Sequence, residues 1–145
     1  MIRFTPDERP AWVGNFARGL TSLDHVCEHL NGGGVLVVAG GNGYVIDPDT
    51  RAQLEEFGGQ IEDVIPVPEL GLLVFGNGVW FEVLDRNGLR WATPRISWDG
   101  MRDVRREGLR LLGEAWYPMA EGYWVPFEVD LATGQCTGGS YDGPS

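Results

Sequence analysis

Apolar and polar positions alternate in short runs along nearly the whole chain, and glycine, asparagine and aspartate break the runs apart. Val35-Leu36-Val37-Val38-Ala39, Leu72-Leu73-Val74-Phe75 and Leu109-Arg110-Leu111-Leu112-Gly113 are the most apolar, and their length suits strands. A shorter segment precedes each: Leu23-Asp24-His25-Val26, Ile61-Glu62-Asp63-Val64 and Met101-Arg102-Asp103-Val104, spaced 38 and 40 residues apart. A third strand follows at residues 44–46, 79–83 and 123–129. Then comes a turn on Asp47-Pro48-Asp49-Thr50, Arg86-Asn87-Gly88 or Ala132-Thr133-Gly134, residue types that tolerate left-handed backbone or bond to it through their side chains. A closing strand is expected at 53–57, 89–97 and 135–141.

The pattern is one module written three times. Gly41-Asn42-Gly43 and Gly76-Asn77-Gly78 recur as turns, and Phe-Glu-Val recurs unchanged at Phe81-Glu82-Val83 and Phe127-Glu128-Val129. A period of about 40 residues with four strands per unit predicts an all-β fold of three consecutive four-stranded antiparallel meanders. The units are residues 21–59, 60–98 and 99–141 of a single domain, followed by a tail at 142–145. Residues 1–20 form an N-terminal arm in which Ala11-Trp12-Val13-Gly14-Asn15-Phe16 reads as an extra strand covering an edge. Residues 21–31 read either as a strand or as a short helix, with a Ser or Thr cap, apolar Leu23, Val26 and Leu30, and Gly32 beyond.

A strand valine followed by Asp-x-x-Thr-Gly, in Val129-Asp130-Leu131-Ala132-Thr133-Gly134 and more loosely in Val45-Ile46-Asp47-Pro48-Asp49-Thr50, resembles the blade pattern of quinoprotein-type β-propellers. The resemblance implies a propeller-like stacking of the units. Closed rings have about four to eight blades, so a homodimer of two half-rings would complete one. The alternative is a β-trefoil, which also has three four-stranded units and closes as a monomer.

Composition agrees with strands and tight turns: 22 Gly and nine Pro in 145 residues do not suit a helical bundle. All 11 basic residues are arginine, which points to a GC-rich bacterial coding bias. The net charge of −10 is uneven. Residues 1–84 hold 12 acids against four arginines, residues 85–110 hold four acids against seven, and residues 111–145 hold five acids and no base. An acidic surface repels phosphate backbones, so nucleic acid is excluded as a partner and a basic protein is favoured. No run of apolar residues approaches a membrane span, and the N-terminus has no leader pattern, so the expected location is the cytoplasm. Two cysteines do not make a disulfide framework.

Few residues suggest chemistry. His25, Cys27 and His29 would share one face of a strand and form a weak metal-ligand set, short of the fourth ligand a structural zinc needs. Asp47-Pro48-Asp49-Thr50 has too few oxygens for calcium and reads as a turn, and the Gly32-Gly33-Gly34 and Gly40-Gly41-Asn42-Gly43 runs read as hairpin turns. Neither a catalytic residue nor a cofactor site is expected; the carboxylates Glu55, Glu56, Glu62, Asp63 and Glu114 read as solvated acids. The candidate partner-binding residues are Trp116, Tyr117, Tyr123 and Trp124, which bracket a hairpin loop, with the nearby Arg102, Arg105 and Arg106, because aromatic and arginine side chains anchor interfaces. The functional expectation is a non-enzymatic protein-interaction module, such as an immunity-type inhibitor of a toxin. A carbohydrate-binding module, with Trp116, Tyr123 and Trp124 as coplanar stacking platforms, and a small hydrolase are the alternatives.

Overall fold

The computed structural model describes residues 1–6, 9–29 and 34–144. Two short strands, β1 (Ile2–Phe4) and β2 (Trp12–Gly14), pair with each other. Three four-stranded sheets follow, each a meander in which sequence neighbours are hydrogen-bonded neighbours. They are β3 (His25–Glu28), β4 (Val35–Ala39), β5 (Asn42–Ile46) and β6 (Gln53–Gly58); β7 (Asp63–Val67), β8 (Leu72–Gly76), β9 (Phe81–Asp85) and β10 (Gly88–Ala92); and β11 (Met101–Glu107), β12 (Arg110–Tyr117), β13 (Tyr123–Asp130) and β14 (Cys136–Gly138). All pairings are antiparallel, and the helical element among the described residues is one 3₁₀ turn, Pro68–Leu70. The protein is therefore all-β. Its strands lie in four separate sheets, whereas the trefoil alternative requires a closed barrel.

Local chemistry explains most boundaries. The β4–β5 hairpin turns through Gly40 (φ 53°) and Gly41 (φ 83°), the left-handed pair that a two-residue hairpin loop demands. After β5 and β13 the chain makes the same turn twice. Asp47 Oδ1 accepts the N–H groups of Asp49 and Thr50, and Asp130 Oδ1 accepts those of Ala132 and Thr133. Thr50 and Thr133 then accept the N–H two residues on. The following residue is left-handed in both, Arg51 (φ 65°) and Gly134 (φ 81°). In the second sheet the turn shrinks to Arg86-Asn87 between the paired Asp85 and Gly88.

Some expectations are corrected. Of the two readings open for residues 21–31, His25–Glu28 takes the strand; Leu30, Asn31, Gly32 and Gly33 lie outside the described residues, and with them the first two residues of the expected Gly32-Gly33-Gly34 turn. The strand expected over 89–97 stops at Ala92, because Pro94 cannot continue the ladder and Thr93 instead caps Phe81, donating to its carbonyl and accepting its N–H. The strand expected over 135–141 stops at Gly138, where Gly138 (φ 75°) and Gly139 (φ 89°) leave extended geometry. Strand β1 has no counterpart among the expected strands, because the alternation of Ile2 and Phe4 over three residues is too short to read.

The chain forms two compact units, Met1–Glu62 and Asp63–Ser145. In the first, the N-terminal arm lies over one face of its four-stranded sheet, where Phe4, Val37, Tyr44 and Ile46 are buried with Trp12 and Phe16 against them. In the second, two four-stranded sheets pack face to face. The repeated Phe-Glu-Val triplet supplies that packing, since alternate residues of a strand face opposite ways. Phe81, Val83, Phe127 and Val129 are at most 4% exposed and join one core, while Glu82 and Glu128 point away from it. Each phenylalanine lies over a cross-strand glycine, Phe81 over Gly76 and Phe127 over Gly113, because a Cβ at either glycine would sit within 2.8 Å of the ring.

Candidate functional site

The third sheet buries one face and leaves the other open. Along β12, Leu111, Gly113 and Ala115 are buried and the residues between them are not. The register carries that parity across the sheet: Arg102 pairs with Glu114, Leu112 with Glu128, and Trp116 with Trp124. The open face therefore carries two tryptophans among charged side chains.

These side chains form a ladder. Trp116 lies against Gly122, which has no Cβ to collide with its ring. Trp116 and Trp124 have centroids 5.1 Å apart with planes at 57°. The Arg102 guanidinium sits 4.3 Å from the Trp124 centroid, a cation–π distance, and its Nε is 3.2 Å from Glu114 Oε1. Further along, Arg110 and Glu128 approach to 3.2 Å. Arg102 is thus held by an aromatic ring and a carboxylate while its side chain stays 51% exposed.

The seven candidates divide between two faces. Trp116, Trp124, Arg102 and Arg105 share the open face, and Arg105 pairs with Leu112 there while its guanidinium bonds the Asp103 carboxylate and carbonyl. Tyr117 and Tyr123 pair across the strands on the opposite face, with centroids 5.0 Å apart, at the end of the sheet. Arg106 pairs with buried Leu111 and holds both oxygens of Glu69, with Nη2 to Oε1 at 3.1 Å. Arg106 therefore ties together the two sheets of its unit.

A second aromatic group was not singled out from the sequence. Arg95 lies 4.6 Å from the Tyr141 centroid and 5.6 Å from that of Trp98, and Trp98 Nε1 donates to Asp142. Tyr117 donates to the other Asp142 oxygen, and the Asp142 charge pushes the Tyr117 phenol up, so it stays a donor. Residues 139–144 are thereby fastened to the end of the third sheet. The signal was the arginine excess in residues 85–110, but no spacing connects Arg95 to Tyr141.

His25 and Cys27 lie on β3, the first sheet's outer strand, and His29 lies just beyond its end; all three are half-buried. Among the described residues no group of three or more His, Cys, Asp and Glu is placed to hold a metal ion. Burial raises the thiol pKa of both Cys27 and Cys136, which keeps them protonated at neutral pH and weak as nucleophiles. Three carboxyls are moved downward. Asp24 is lowered mainly by the Gly40 N–H and then by Arg18, Asp47 by the N–H groups of Asp49 and Thr50, and Glu69 by Arg106. A general acid working near neutrality needs the opposite shift.

The three downward shifts have a consequence for stability. A carboxyl with a folded pKa below its unfolded value favours folding above that unfolded value, about 4, and the contribution disappears as pH falls through the folded pKa. Urea midpoints are therefore expected to fall progressively below about pH 4, with a shallower acid limb in Asp24→Asn. An unchanged limb in that variant would refute the assignment of Asp24.

Comparison with protein-family models, curated proteins and solved structures finds no match to this chain.

Proposed function

We propose that this protein is a non-enzymatic interaction module that binds a partner protein on the open face of its third sheet, and that its sheets are propeller-like blades. The observation that carries the reading is the Trp116–Trp124–Arg102–Glu114 ladder. Tryptophan and arginine are the residues most enriched at binding hot spots, and here neighbouring groups hold them in place before any partner arrives. The face differs from the interior packing between the second and third sheets, which is built from valine, leucine and phenylalanine. Charged pairs such as Arg102–Glu114 and Arg110–Glu128 would be costly to dehydrate in a permanent contact. Such a face suits a soluble, separable partner better than a further blade. The net charge of −10 favours a partner with a basic surface.

The ladder lends less support to carbohydrate stacking. Trp124 already has a guanidinium over its ring, and the two indoles are inclined by 57°, so they offer no coplanar platform.

The test is capture of a partner from host lysate on immobilised protein, followed by affinity measurement with the purified partner. Trp124→Ala and Arg102→Glu are each expected to weaken binding about 30-fold, the effect of losing a hot spot of about 2 kcal/mol. The proposal fails if neither variant changes the affinity, or if light scattering shows a dimer of this chain that both variants convert to monomers, which would give the face to a second copy.

A further inference from the structure

The first compact unit contains a groove of about 370 Å³ between the N-terminal arm and β6, within the size range of small-molecule sites. Trp12, Phe16, Tyr44 and Ile46 give it apolar walls, and Arg51 and Glu56 stand in its lining. We propose that this groove binds a monocarboxylate carried on an apolar body, with Arg51 as the group that recognises the carboxylate.

The backbone at residue 51 disfavours any side chain. Arg51 has φ 65°, and the twin turn in the third sheet has Gly134 at that place, with the same aspartate and threonine bonds on either side. Glycine would meet the turn's geometry without the steric penalty that a side chain incurs there. The turn itself therefore gives no reason for arginine, and a strained residue of this kind is a pointer to function.

What the arginine gains is position. Its guanidinium lies 5.5 Å from the Trp12 centroid. Trp12 cannot swing away, because its other side stacks on Phe4 at 4.2 Å and 16°, and its Nε1 donates to the Pro48 carbonyl at 2.7 Å. Among the described residues Arg51 has no carboxylate partner and its side chain donates no hydrogen bond. A guanidinium resting on an aromatic ring at the lip of a groove, with its N–H fork unused among the described residues, is matched by a planar carboxylate.

Glu56 narrows the class. One of its oxygens accepts from Asn42, whose amide also reaches the Tyr44 hydroxyl, and the hydroxyl donates to the Ala17 carbonyl. This network fixes a negative charge in the same groove as Arg51. A dianion such as a phosphate monoester would be repelled, whereas a single carboxylate on Arg51 would leave Glu56 facing the ligand's neutral or donor end. Free apolar acids and the C-terminus of a peptide share this chemistry.

The experiment is an amide-resolved NMR titration of the whole chain with N-acetyl-phenylalanine, its carboxamide, and a hexapeptide ending in phenylalanine with its C-terminus free or amidated. Saturable shifts are expected in residues 12–17 and 51–56 with a free carboxylate, and the amidated forms should bind at least about tenfold more weakly, as loss of a charge-assisted bond implies. Whichever free carboxylate binds more tightly identifies the source. Arg51→Gly should lose binding by the same factor while its thermal midpoint stays level or rises, which separates recognition from folding. Equal binding of acid and amide, retained affinity in Arg51→Gly, shifts elsewhere, or no saturation by about 10 mM would overturn the proposal. None of these readouts involves the third sheet, so they leave the partner-binding reading to its own test.

Discussion

Replacing Phe127 by alanine is expected to cost about 3–5 kcal/mol, measured as a lower urea midpoint at unchanged slope. The ring is 4% exposed, its centroid lies 5.8 Å from that of Phe81, and it covers Gly113 on the neighbouring strand. Removing it takes apolar surface from the core between two sheets and bares a glycine with no side chain to fill the space. Folded domains are stable by only about 5–15 kcal/mol, so the variant should stand near the edge of folding at moderate temperature. The adjacent substitution Glu128→Ala is the control. Glu128 points to the open face and pairs with Arg110 whose side chain is 69% exposed, and exposed pairs contribute about 1 kcal/mol or less. If the two variants are equally stable, the facing of the Phe-Glu-Val triplet is wrong.

That triplet also shows how far the sequence could be read. Its recurrence marked the units, and strand alternation alone puts phenylalanine and valine on one face and glutamate on the other. The same rule separates Trp116 from Tyr117, which adjacency in sequence had grouped together. The arginines are different. With uninterrupted alternation from Arg102, Arg106 would face outward and Arg105 inward. The bulge at Asp103, a non-glycine residue with φ 56°, adds one residue between the paired positions and exchanges them. No feature of Met101-Arg102-Asp103-Val104 announces that bulge, so Arg106 was grouped with the binding residues although it spends its guanidinium on Glu69. Turns repeated in sequence were legible for the opposite reason, since Asp47 and Asp130 act on amides two and three residues away. Contacts between distant segments, such as Arg95 with Tyr141 or Trp12 with Arg51, depend on how the arm and tail lie over their sheets, and residue spacing does not encode that.

Gly41→Ala is expected to cost roughly 2–5 kcal/mol, combining a left-handed backbone penalty with overpacking. A Cβ there would collide with the Thr21 hydroxyl and come within 2.8 Å of the Ile61 carbonyl oxygen, and the residue has φ 83°. The neighbours cannot retreat easily. Thr21 Oγ1 donates to that same Ile61 carbonyl at 2.6 Å, the Gly41 N–H donates to Leu23, and the Gly41 carbonyl accepts from both Gly59 and Ile61. The adjacent Gly40 N–H donates to Asp24, and its carbonyl accepts from Thr21. This hairpin turn is therefore where the segment leaving the arm and the segment leaving β6 are joined to the sheet, and forcing it open disturbs three stretches of chain together. Gly108→Ala isolates the conformational part, because Gly108 has φ 60° but nothing within 4 Å of an added Cβ, so it should lose only about 1–2 kcal/mol. A thermal midpoint for Gly41→Ala no lower than that of Gly108→Ala would show that the turn is not crowded and that the two segments are held by other contacts.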